Sequence, residues 1–210
     1  MIELDAATGP GAWLVRLAGE LSERDADLAA LKRAGLFTAP IPAELGGLGV
    51  TSVHDVVVAS SRLARGDASL AGALNEHLAV VLHLVRRWSA GRSPQLAAVL
   101  REIVTEGVVL GRGFVAPDAG GYLEHRLLAA LLDASAALGG AEAAAAATGR
   151  RHAIELSAAQ ATLSRAAALV DADAADTLAL FAHAQAAKAF VDDVADRIAE
   201  PALGPEPVLN

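Results

Sequence analysis

The chain has no cysteine and very few aromatic side chains. Among its 210 residues, aromatics make up 3% and hydrophobic residues 54%, with alanine the most abundant residue. The lack of cysteine excludes disulfides, thiolate zinc sites and cysteine nucleophiles. Because alanine loses no side-chain entropy on folding, it is the best helix former. The composition therefore predicts an all-α protein with close, alanine-lined helix contacts.

Basic runs and long apolar runs are also missing. The net charge is −8, and no Lys/Arg-rich stretch occurs, which disfavours a nucleic-acid partner. Residues 1–5 are acidic and lack the basic start and apolar core of a signal peptide. No stretch of about 20 apolar residues runs without a charge or a glycine, so we expect no membrane-spanning segment. The expected location is cytoplasmic.

The polar residues do not form a metal motif. No two of the histidines are three or four residues apart, the helical spacing of metal ligands; they are His54, His77, His83, His125, His152 and His183. The acidic run 171–176 lacks the glycine and the glutamate that a calcium loop needs. We therefore predict no metal site. The cluster 75–77 (Asn-Glu-His) is either a satisfied buried histidine with its neighbours or a ligand contact.

Several residues have the chemistry of helix ends. Ser22, Ser52 and Ser93 are candidate N-caps, and Pro94 follows Ser93 at the favoured first helical position. Asp67 or Ser69 starts a further helix.

The middle of the chain is less regular. Residues 108–110 and 114–115 are candidate short strands, so we allow a strand remnant near 108–116. Helical character returns from about residue 122 to 148, with Gly139 and Gly140 inside it. Glycine is costly in a helix interior, so this pair indicates either a kink or very close packing.

Two stretches at the N-terminal end resemble a known family. Residues 35–49 contain Gly-Leu, then Pro, then Gly-Gly-x-Gly, and residues 63–69 read Leu-Ala-Arg-x-Asp-x-Ser. In this order they resemble the N-terminal helical domain of the acyl-CoA dehydrogenase family, and residues from about 123 to 203 resemble its C-terminal helical domain. The family has a β-domain between the two, which holds much of the flavin. The resemblance therefore implies helical domains at 1–107 and 122–210, joined by a connector at 108–121 in which the β-domain is largely missing.

The resemblance also implies a catalytic residue at the start of the C-terminal helical domain. In part of the family, a glutamate directly before an arginine removes the α-proton of the substrate. Here His125 precedes Arg126, and Glu124 lies one residue earlier. One residue is about 100° around a helix, so Glu124 would point away from the direction of the family's glutamate unless the helix starts differently. Glu124 is the predicted catalytic residue; alternatively, it is a first-turn acid that the helix dipole favours.

A second family signature implies a cofactor site. Arg-x-x-Phe-Gly, with a glutamine eleven residues after the arginine, binds the diphosphate and adenosine of FAD across a subunit interface in the family. Here Gln160 is present, and Arg150 lies ten residues before it. We predict Arg150 and Gln160 as FAD-binding residues; the alternative for Gln160 is an ordinary helix-surface residue.

The function implied is flavin-dependent oxidation of CH–CH groups of acyl thioesters, impaired or partner-dependent without the β-domain. One alternative is a non-catalytic subunit, scaffold or acyl-thioester-binding module. Another is a remnant of a flavin-dependent monooxygenase of the same fold. Because each helix buries modest area, we expect self-association or association with a full-length acyl-CoA dehydrogenase relative.

Overall fold

Eight α-helices make up most of the structure, a computed structural model that describes residues 11–24, 26–111, 119–148, 152–172 and 176–199. This confirms the predicted all-α class. The helices are α1 (Gly11–Ser22), α2 (Leu28–Arg33), α3 (Val53–Ala64), α4 (Ala68–Gly91), α5 (Pro94–Glu106), α6 (Ala119–Thr148), α7 (Ala153–Asp171) and α8 (Thr177–Ala199). Short 3-10 turns at Leu36–Thr38 and Ala43–Leu45 lie in the loop between α2 and α3.

Local capping chemistry sets several of the helix starts. The side chains of Ser52, Asp67 and Ser93 accept the backbone N–H three residues on, at the starts of α3, α4 and α5. The Ser22 prediction is wrong. Ser22 is the last residue of α1, and its Oγ donates to the carbonyl of Gly19 at 2.7 Å, while Asp27 caps α2. A serine in a final helical turn can bond back to its own helix, so its presence alone does not mark a start.

Helix α6 is the central element and packs against α3, α4, α7 and α8. It continues through Gly139 and Gly140 without interruption. A Cβ on Gly139 would overlap the carbonyl oxygen of Ser61 and lie 2.7 Å from Cβ of Ala64, both in α3. The glycine pair therefore marks close packing between α3 and α6, one of its two predicted meanings.

Two hydrophobic clusters form the interior. The larger contains side chains from α1, α3, α4, α6, α7 and α8, on both sides of the predicted connector. The smaller joins α4, α5 and the loop before α3, and Val81, Trp88 and Leu100 lie within it. The predicted boundaries at 107 and 122 remain predictions.

The short strand predicted at residues 108–110 of the connector is not formed. Residues 107–111 form no strand. The backbone N–H of Leu110 instead donates to Nδ1 of His77 at 3.0 Å, so a side chain takes the bond that a partner strand would need. The rest of the predicted strand remnant, 112–116, lies outside the described residues.

Helices Ala68–Gly91 and Gly121–Ala147 are long and apolar enough to cross a membrane. Their most apolar windows are 72% and 61% buried within the protein, as expected of the central helices of a bundle.

Candidate functional site

Glu124 lies in the second turn of α6 and is held by two side chains of α4. His83 Nδ1 is 2.8 Å from its Oε2, and Arg86 donates from Nε to its Oε1 at 2.7 Å. His83 and Arg86 are three residues apart and so share one face of α4. The His83 side chain is 1% exposed and that of Glu124 is 22% exposed. The cluster therefore reaches from the α4–α6 interface to the surface.

The environment of Glu124 favours its ionised form. Burial alone would raise the pKa of Glu124, but the hydrogen bonds from His83 and Arg86, with their charges, lower it overall. A carboxylate with a lowered pKa stays ionised, and so accepts hydrogen bonds, but it is a weaker base. The geometry thus supports anchoring of a donor more directly than proton abstraction, and the predicted catalytic role of Glu124 remains a prediction.

An open cleft of about 720 Å³ lies beside this carboxylate. It is lined by Thr51, Ser52, Val85, Arg86, Arg87, Ser89, Ala90, Glu124 and Asp171. Seven of these nine side chains are charged or carry a hydroxyl, so the cleft offers polar groups to a ligand beside the apolar atoms of its wall.

The wall of the cleft is fixed by contacts between helices. Asp171, at the end of α7, accepts from Ser52 Oγ and from the backbone N–H groups of Val53 and His54, at 2.7–2.9 Å. These groups form the N-terminus of α3, where a carboxylate is favoured. Arg86 also donates to the carbonyl of Val170 at 3.4 Å. The end of α7 is thereby attached to α3 and α4.

His125 has a different environment from Glu124. It is 3% exposed and lies against the ring of His83, with centroids 6.4 Å apart. It lines a separate cleft of about 240 Å³ between α6 and α8, with Arg126 and Lys188 among its neighbours. The one-residue offset in the sequence therefore places Glu124 and His125 at two different clefts.

The predicted cofactor residues are not brought to Glu124. Gln160 is 9% exposed, and its amide donates to Glu142, which also accepts from Arg65 Nε at 2.5 Å. Glu142 is eighteen residues after Glu124 on α6, about 27 Å along the axis. Arg150 lies outside the described residues. Within the described part of one chain, these groups do not fit a flavin as a single site, and the FAD roles of Arg150 and Gln160 remain predictions.

An apolar cavity in the N-terminal helices is very small. It measures about 10 Å³. Its lining is Leu14, Leu36, Ala39, Pro40, Val56, Ala59, Ser60, Leu63, Leu74 and Leu78. That volume is about one water molecule, so the cavity has no room for an acyl chain as it stands.

His77 in the polar cluster 75–77 has the environment of a buried histidine whose hydrogen bonds are satisfied within the protein. It is fully buried, with Nε2 donating to the carbonyl of Phe37 at 3.0 Å and Nδ1 accepting from Leu110. Burial lowers the pKa of His77, against the raising effect of the Phe37 carbonyl. His77 is therefore a satisfied neutral histidine that ties α4 to the connector.

Sequence reasoning missed His83 as a site residue. Its partner Glu124 is 41 residues away, and no local spacing signal connects the two. The only hint was a histidine within an otherwise apolar run, 78–85.

The N-terminal part of the chain is similar to known proteins. Residues 12–106 match the family model of the acyl-CoA dehydrogenase N-terminal domain. L-evernosamine nitrososynthase of Micromonospora sp. (strain ATCC 39149 / NRRL 15099 / SCC 1413) is 46% identical over 67 residues, which are 32% of this chain and 16% of that protein. Amino sugar nitrososynthase RubN8 of Streptomyces rubradiris is 40% identical over 85 residues, 40% of this chain and 20% of that protein.

A third relative and a solved structure extend the likeness. Amino sugar nitrososynthase DnmZ of Streptomyces peucetius is 36% identical over 85 residues, 39% of this chain and 21% of that protein. The chain thus matches between 16% and 21% of the length of these three relatives. The crystal structure of nitrososynthase from Micromonospora carbonacea var. africana superposes with a TM-score of 0.65, covering 92% of this chain and 83% of that chain at 19% identity, which shows the fold. Residues 12–106 are thus similar to the N-terminal domain of acyl-CoA dehydrogenases, and the chain shares its helical fold with the solved nitrososynthase.

Proposed function

We propose that the chain is the substrate-binding helical part of a flavin-dependent oxidoreductase, in which the flavin is held jointly with a second polypeptide. The observation that carries the proposal is the carboxylate of Glu124, which His83 and Arg86 hold beside an open cleft, one residue before the position where the family resemblance puts a functional acid. The second polypeptide is another copy of the chain or a full-length relative. Bound flavin would supply the redox chemistry.

The first candidate substrate is an acyl thioester, oxidised at its CH–CH bond. It follows from the family match over residues 12–106. This reaction needs a base near the α-carbon, the role predicted for Glu124. It also needs an apolar groove, and the apolar cavity of about 10 Å³ would have to open to provide one.

The second candidate is oxidation of a polar substrate, as in a monooxygenase of the same fold. Two observations favour it. The relatives described above are named amino sugar nitrososynthases, and the cleft beside Glu124 is lined mainly by charged and hydroxyl side chains. A sugar or amino sugar could bind there through hydrogen bonds without an acyl groove. A non-catalytic ligand-binding subunit would use the same cleft without oxidation.

The test combines the purified chain with FAD, first alone and then with a full-length amino sugar nitrososynthase. Oxidation of an aliphatic acyl-CoA and of an amino sugar is then followed, with Glu124→Gln as the matched variant. Substrate oxidation that depends on the chain and falls in Glu124→Gln supports the proposal, and the substrate oxidised selects between the candidates. Substrate binding by the chain without any oxidation that depends on the chain would support the non-catalytic subunit instead. Absence of both binding and oxidation would refute the proposal.

A further inference from the structure

His83 is a buried histidine whose imidazole is not explained by packing. Its side chain is 1% exposed. Its Nε2 is buried and has no hydrogen-bond partner among the described residues. A buried polar atom without a partner is costly, so an aliphatic residue would be cheaper at this position if filling space were its only role.

Among the described residues, the hydrogen-bond partner of His83 is Glu124. A carboxylate only accepts hydrogen bonds, so Nδ1 of His83 carries the proton of this 2.8 Å bond. Arg86 binds the other oxygen of Glu124 from the same face of α4. Both oxygens are therefore held from the α4 side, which fixes the rotation of the carboxylate.

Glu124 retains acceptor capacity toward the cleft. An ionised carboxylate offers about four lone-pair positions, and His83 and Arg86 use one on each oxygen. The side chain is 22% exposed and lines the cleft. Asp171, the other carboxylate of the cleft, already accepts three hydrogen bonds from the start of α3. Glu124 is thus the better placed of the two carboxylates for a ligand.

We propose that His83 is a positioning residue that fixes Glu124 as a hydrogen-bond acceptor and so makes the cleft selective for a ligand rich in hydroxyl or amine groups. Arg86 next to Glu124 disfavours a bare metal ion, because a metal ion offers positive charge, which Arg86 already supplies, but no hydrogen-bond donor. A polyol or an amino sugar matches the carboxylate together with the hydroxyls of Thr51 and Ser89. The ligand class rests on the second candidate function, whereas the positioning role of His83 does not.

The test uses nuclear magnetic resonance on the full chain with ¹³C-labelled glutamate carboxyl groups, and D-glucosamine as the probe. His83→Leu removes the donor to Glu124, and His83→Gln keeps an amide N–H that can replace it. We expect the pKa of Glu124 to rise in His83→Leu and to stay near the wild-type value in His83→Gln. His83→Leu loses the hydrogen bond that holds the charged carboxylate of Glu124 in place, so glucosamine binding should weaken about tenfold in this variant. Binding in His83→Gln should stay within about threefold of wild type.

The outcomes separate this inference from the proposed function. Unchanged Glu124 titration in His83→Leu, or unchanged glucosamine binding despite a raised pKa, would overturn the positioning role. Failure of the wild-type chain to bind glucosamine would overturn the ligand class. His83-dependent binding without flavin uptake in any mixture would sustain the inference and refute only the redox function. If His83→Leu does not fold, His83→Met takes its place, because methionine also removes the donor but fills an irregular space with a flexible side chain. A raised pKa of Glu124 and weaker binding in His83→Met support the role, and unchanged values overturn it.

Discussion

The close contact between α3 and α6 predicts opposite effects for two adjacent glycines. Gly139→Ala would force a Cβ onto the carbonyl of Ser61, whereas a Cβ on Gly140 lies 3.4 Å from Cβ of Ala68, an ordinary contact. Each substitution gains up to about 1 kcal/mol of helix propensity. Overpacking against a backbone atom costs about 1–3 kcal/mol or more, because the helices must separate. We therefore expect Gly139→Ala to lower the free energy of unfolding by about 1–2 kcal/mol.

Gly140→Ala provides the matched control. It should leave stability unchanged or raise it by up to about 1 kcal/mol, so the two variants should differ by about 1–3 kcal/mol. Urea unfolding followed by circular dichroism measures the free energy of unfolding of both variants, which can be compared if its dependence on urea concentration is the same in both. Equal stability of the two variants, or a more stable Gly139→Ala, would refute the packing argument, and with it the close approach of α3 to α6.

Three further predictions concern polar contacts. His77→Phe leaves two buried backbone groups without their partner and should lower stability by about 2–4 kcal/mol at neutral pH, with the exposed His183→Phe as the control. Burial lowers the pKa of His77 in the folded state, so below about pH 6.5 the unfolded wild type binds a proton more readily than the folded one, and the wild type loses stability. His77→Phe has no such proton to bind, so its stability difference from wild type should shrink on acidification. A difference that does not change with pH would contradict this. Arg92 has a left-handed φ of 49°, and its guanidinium stacks 4.2 Å from the indole ring of Trp88. In thermal unfolding, Arg92→Gly should be within about 0.5 kcal/mol of wild type, because glycine loses the stacking but relieves the backbone strain. Arg92→Ala should be about 1 kcal/mol less stable than wild type, because alanine loses the stacking and keeps the strain. Gln160→Ala and Glu142→Ala should each cost about 1 kcal/mol, but only Gln160→Ala should weaken flavin binding by folded protein if Gln160 is a cofactor residue.

Local signals in the sequence predicted the local parts of this fold. Ser52, Asp67 and Ser93 act as caps because capping depends on residues within one turn. Ser22 shows the limit of such signals, since the same side chain also bonds within the last turn of a helix. The strand expected at 108–110 did not form because strand formation requires a partner, and the histidine that binds Leu110 lies 33 residues away.

The sequence indicated one residue of the candidate site, Glu124, but not the side chains that surround it. Family resemblance pointed to Glu124 at the start of α6. Nothing in the sequence around Glu124 indicates His83 or Arg86, because their contacts depend on how α4 crosses α6. The polar character of the cleft likewise arises from four separate segments of the chain. Such non-local assembly is outside the reach of periodicity and capping rules.

Sedimentation velocity with detection at roughly 450 nm, where flavin absorbs, tests the central claim most directly. The chain is run with FAD at increasing protein concentration, and then with a full-length amino sugar nitrososynthase. The account predicts that flavin sediments only with an associated species, because one chain does not bring Glu124 and the segment around Gln160 together. Flavin that sediments with the monomer, or flavin that sediments with no species at all, would contradict it.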